Sequence, residues 1–85
     1  MHEMSVAMEV CRMAEERLQD EAPRLRVVGL DVGDDSGLES DNLTFCLDVL
    51  LSQPPFGMAH SCVRRLAGDA LRLDYLEVDD GRPDD

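Results

Sequence analysis

Along the first twenty residues, apolar side chains fall at Met4, Ala7, Met8, Cys11, Ala14 and Leu18, with Glu9, Arg12, Glu16 and Gln19 between them. That three-and-four spacing predicts an amphipathic helix from Met4 to about Asp20. Glu3 and Glu9 near its start and Arg17 near its end suit the helix dipole. Glu21-Ala22-Pro23 stops it, because a residue preceding proline is pushed out of the helical region. Met4, Met8 and Met13 share the helical spacing, so they are expected in the core rather than on a soft metal. Leu25 to Val32 then alternates as a strand, with Val28, Leu30 and Val32 on one face and Val27, Gly29 and Asp31 on the other.

Gly33-Asp34-Asp35-Ser36-Gly37 breaks the strand. A second helix is predicted to start around Glu39 to Asp41, where the carboxylates and Ser40 can accept first-turn amide protons. Leu43, Leu47, Leu50 and Leu51 form its apolar stripe, supported by Phe45, Cys46 and Val49, and Pro54-Pro55 ends it. Met58 to Leu66 alternates again, which puts Met58, His60 and Cys62 on one face. Ala67-Gly68-Asp69-Ala70 is short and turn-prone, so Leu71 to Val78 is expected to return beside it as a hairpin. One break in the alternation predicts a bulge near Asp74 or Tyr75. The order helix, strand, helix, strand, strand makes an α+β domain, residues 1–78, in which two helices cover a small three-stranded mixed sheet. Residues 79–85 carry no apolar side chain and are expected to form a disordered acidic tail.

Composition narrows the function. Eight arginines, no lysine and nineteen acidic residues give a formal charge of −11, which repels nucleic-acid phosphates and anionic lipid heads. No apolar run approaches a membrane span, and the charged start does not resemble a signal peptide, so a cytoplasmic protein with no nucleic-acid or membrane partner is expected. Cys11, Cys46 and Cys62 are never arranged as Cys-x-x-Cys, so neither a disulfide framework nor a zinc knuckle is written here. His60 and Cys62 are same-face neighbours, but two ligands alone make a poor metal site. No serine or cysteine is paired with an oriented base, and the 33–37 glycine loop lacks a P-loop lysine, so no enzyme is expected.

The first five residues, Met1-His2-Glu3-Met4-Ser5, carry the most specific chemistry. The terminal amine, the His2 backbone nitrogen and the His2 imidazole Nδ1 can close two fused chelate rings, leaving a fourth in-plane position free. Planar, nitrogen-rich sites suit nickel(II) or copper(II), whereas zinc prefers a tetrahedron. An α-amine has a pKa of about 7.7–8.0, so a metal can displace its proton near neutral pH. A terminal histidine is otherwise a solvated side chain.

Three blocks then give the chain a recognisable likeness: Met1-His2-Glu3-Met4-Ser5; Val32-Gly33 with Ser36-Gly37-Leu38-Glu39, Leu43 and Phe45; and Gly68 with Leu71, Leu73 and Leu76-Glu77-Val78. In these it resembles the HypA/HybF nickel metallochaperones of [NiFe]-hydrogenase maturation. The resemblance implies Ni(II) held by the Met1 amine, His2 and backbone nitrogen at His2 or Glu3, with supporting roles for the Glu3 and Glu39 carboxylates. It implies a hydrogenase large subunit and a HypB-like GTPase as partners, and it leaves room for a homodimer. The likeness departs where the family inserts a zinc module with two Cys-x-x-Cys pairs between its last two strands. Here Leu66-Ala67-Gly68-Asp69 joins those strands directly, so no zinc is expected. Asp34-Asp35 also replaces the family's usual Glu-Leu pair, making the loop near Glu39 more acidic. The missing module and the acidic tail motivate an alternative: a scaffold or assembly subunit of a maturation complex that kept the fold without carrying metal.

Overall fold

The computed structural model describes residues 2–79, so Met1 and residues 80–85 of the expected tail lie outside the described residues. The elements run α1 (Glu3–Leu18), a 3₁₀ turn (Gln19–Arg24), β1 (Leu25–Gly33), α2 (Ser40–Leu51), β2 (His60–Leu66) and β3 (Leu71–Val78). The α+β class, with two helices on a three-stranded mixed sheet, is as the pattern predicts.

Helix α1 buries Val6, Ala7, Val10, Cys11 and Ala14, while Met4 and Met8 are 41% and 59% exposed. The apolar stripe is therefore rotated from the expected one, and Met4 and Met8 are surface residues. Ala7 and Ala14 explain the choice, since both are fully buried and their small side chains let the helix approach its neighbours closely. Burial raises the Cys11 thiol pKa to about 11, with Glu15 adding to the shift, which keeps it an inert core thiol. In α2 the buried stripe is Leu43, Cys46, Leu47 and Leu51, whereas Phe45 and Val49, expected to support it, face solvent.

Strand β1 is the centre of the sheet, whose order is β2-β1-β3. It pairs parallel with β2, as a strand–helix–strand crossover allows, and antiparallel with β3. This corrects the expected hairpin, because β2 and β3 lie on opposite edges of β1 rather than side by side. The 67–70 connection spans the end of β1, where the Gly33 amide donates to the Ala70 carbonyl at 2.6 Å and the Asp34 amide to the Leu66 carbonyl at 2.8 Å. A Cβ on Gly33 would lie 2.2 Å from the Gly68 carbonyl oxygen, so only glycine lets the chain cross so closely. The predicted bulge is present: Gly29 pairs with Tyr75 and Leu30 with Leu73, which leaves Asp74 as the extra residue. Asp79 extends the pairing, its amide donating to the Arg24 carbonyl at 2.9 Å.

The two helices cover one face of the sheet, where Val28, Leu30 and Val32 are at most 1% exposed. Asp48 of α2 ties that layer to β2, its Oδ1 accepting from both the Ser61 amide and the Ser61 hydroxyl. The opposite face has no helix over it.

Candidate functional site

The N-terminal ends of α1 and α2 meet, and they bring Glu3 and Glu39 together from opposite ends of the first half of the chain. His2 is the N-cap of α1, extended at φ −91° and ψ 133°, exposed, and making no side-chain cap bond. Its carbonyl already accepts from the Val6 amide at 3.2 Å, so the chain turns helical immediately behind the imidazole. Glu3 is the first helical residue. There its carboxylate suits the positive end of the helix dipole.

The start of α2 is capped in an unusual way. Glu39 is the N-cap, and its own carboxylate accepts from the Asn42 amide at the third helical position. In a capping box the side chain at that third position would return to the N-cap amide. Here Glu3 of the other helix does so instead: its Oε2 accepts from the Glu39 amide at 3.0 Å. Its Oε1 accepts from the Asn42 side-chain amide, also at 3.0 Å. These bonds from Glu39 and Asn42, with one from its own backbone amide, hold the Glu3 carboxylate below the usual range. Ser40, an expected cap, has a buried hydroxyl with no partner among the described residues.

Of the four residues expected at the metal site, Met1 lies outside the described residues, and His2, Glu3 and Glu39 cluster at one pole of the molecule. Both oxygens of Glu3 point toward α2 rather than standing free. Among the described residues no three His, Cys, Asp or Glu side chains form a metal-binding group. A chelate built from backbone nitrogens and one imidazole does not require such a group. Asp34, which makes the neighbouring loop more acidic, is paired with Arg65 at 2.7 Å. Sequence reading missed Asn42. The signal was its spacing, three residues after an acidic N-cap, where a side chain able to hydrogen-bond takes part in capping.

The other candidate pair lies elsewhere. His60 and Cys62 are exposed on the helix-free face of the sheet, as the alternation predicts. Tyr75 lies over Gly29, and the Cys62 side chain beside its hydroxyl, with burial adding to the effect, raises the tyrosine pKa. Beside them Asp31, 1% exposed, receives Arg64 Nε at 2.9 Å and Nη2 at 3.1 Å, and Arg72 from the other side. These arginine bonds hold Asp31 below the usual carboxylate range. An apolar groove of about 370 Å³ between α1 and β3, lined by Val6, Val10, Met13, Leu30 and Leu73 among others, contains no pair of catalytic type. Among the described residues no helix is long and apolar enough to cross a membrane.

A family model described as "Hydrogenase/urease nickel incorporation, metallochaperone, hypA" matches residues 1–71. No curated protein matches the chain.

Proposed function

The chain belongs to the HypA family of hydrogenase/urease nickel-incorporation metallochaperones, and from that premise we propose that it carries Ni(II) at its own amino terminus and delivers it to a hydrogenase large subunit. The Met1 amine, the His2 backbone nitrogen and the His2 imidazole form the planar grip, and the backbone nitrogen of Glu3 is within the same short reach. A HypB-like GTPase is the partner in delivery, and the work is done in the cytoplasm.

The observation that carries this reading is the conformation of His2: exposed, extended, uncapped, and placed directly ahead of a rigid helix. First-turn amides of a helix lack intrahelical acceptors, so backbone nitrogen there is free of the ladder. Two opposing effects keep the grip moderate. The positive end of the α1 dipole disfavours a cation, while Glu3 and Glu39 supply negative charge close by. A cargo site needs this balance, since an ion held too well is never handed on. Because amine and imidazole bind metal only when unprotonated, affinity falls as pH drops below neutrality.

Calorimetric titration of nickel into protein with an unblocked Met1, and into His2→Ala, tests the proposal. Loss of most of the affinity in the variant is expected, and equal affinities would overturn it. An N-terminal extension that blocks the amine should act like the substitution.

A further inference from the structure

Asn42 has a role that no metal ligand assignment covers. Its backbone amide serves Glu39, and its side-chain amide crosses between helices to Glu3 Oε1 at 3.0 Å. With the Glu39 amide on Oε2, both carboxylate oxygens of Glu3 are taken up by α2. We propose that Asn42 is a positioning residue that holds the Glu3 carboxylate off the nickel ion and thereby keeps the ion exchangeable. This rests on the amino-terminal nickel reading above.

The physical reason lies in what Glu3 would otherwise do. Its carboxylate sits on a flexible two-methylene arm directly after the His2 chelate, whose in-plane fourth position is open. An unrestrained carboxylate would be the anionic oxygen nearest that position in sequence. Bound there, it would neutralise charge and slow the departure of the ion. Glu39 cannot restrain Glu3 by itself, since its amide reaches only Oε2. Removal of the Asn42 donor leaves Oε1 without its partner from α2, so that only the Glu39 and Glu3 amides still restrain the arm and it can turn toward the metal more often.

The test uses full-length protein with an unmodified Met1, loaded with Ni(II). Release is followed by transfer to an excess of a small-molecule chelator, together with the visible absorption of the complex. Asn42→Ala should slow release roughly tenfold, the scale on which outer-shell partners act on metal sites, and should shift the ligand-field band as an oxygen enters the plane. Asn42→Gln, which keeps a donor, should restore fast release. Adding Glu3→Gln to Asn42→Ala should return the rate to that of Glu3→Gln alone. Wild-type release and an unshifted band in Asn42→Ala would overturn the inference, provided that His2→Ala still abolishes binding. Binding that ignores His2→Ala would overturn the amino-terminal site itself. If Asn42→Ala does not fold by circular dichroism, infrared difference spectra on nickel addition decide. Wild type and Glu3→Gln should show the same carboxylate region, and a band shift that depends on Glu3 would count against Asn42.

Discussion

The two faces of β1 are closed by different physics. On the helix side, Val28, Leu30 and Val32 are shut away by packing against α1 and α2. On the other side, Gly29 and Asp31 have no helix above them, yet both are buried. One is covered by the ring of Tyr75 and the other by the guanidinium groups of Arg64 and Arg72. Burial on this side comes from neighbouring strands reaching across the surface. A small sheet with a single helical layer can therefore protect its open face without a second layer. The cover is made of long side chains that remain mostly in water, since both arginines are more than 60% exposed.

The comparison can be broken most strongly from the helix side. Leu30→Ala should cost about 2–5 kcal/mol, the range for truncating a buried leucine, read as a lower midpoint in urea unfolding. An intermediate effect is expected on the open face. A Cβ at residue 29 would lie 2.1 Å from the Tyr75 ring, so Gly29→Ala must push the ring aside. Overpacking of this kind costs about 1–3 kcal/mol, and the displaced ring should also lower the Tyr75 pKa, measurable by ultraviolet titration, because the hydroxyl loses Cys62. A result for Gly29→Ala as large as that for Leu30→Ala would mean that the ring is as tightly packed as the core.

The smallest effect at neutral pH is expected from Asp31→Asn, because the arginines it would release already stand largely in water. Its signature is in acid. The Asp31 carboxyl is held below the ordinary aspartate value by Arg64 and Arg72. Its contribution is therefore fully present above the unfolded value of about 3.9 and is lost as pH falls through the lower folded value. Stability of the wild type should fall more steeply than that of Asp31→Asn as pH drops below about 4, and parallel acid profiles would remove the charge account of this face.

Much of this was legible in the order of residues. The alternation in β1 separated Val28, Leu30 and Val32 from Gly29 and Asp31, the break near Asp74 announced the bulge, and the acidic run placed the start of α2. Sheet order was not legible, since a four-residue link after β2 reads as a hairpin turn. The close approach of Gly33 to Gly68, with the Gly33 and Asp34 amides bonded to Ala70 and Leu66, shows that the link crosses the end of a third strand. The face of α1 was misread for a related reason. Two stripes fit the same helical period, and tertiary contact selected Val6 and Val10 over Met4 and Met8. Where the starts of the two helices meet, His2, Glu3 and Glu39 could be singled out from the sequence. The Glu3–Asn42 contact could not, because thirty-nine positions separate its partners.

The crossing at Gly33 also sets where the molecule can grow. Gly68 sits at its apex with φ +93° and no atom within 4 Å of the place a side chain would take, while its carbonyl still receives the Asp35 amide at 2.8 Å. Three residues of loop then separate Asp35 from Glu39, whose amide rests on Glu3. Extra length spliced in at that apex would leave beside the Asp35 amide, with only this short run of chain between the graft and the Glu39 amide that rests on Glu3.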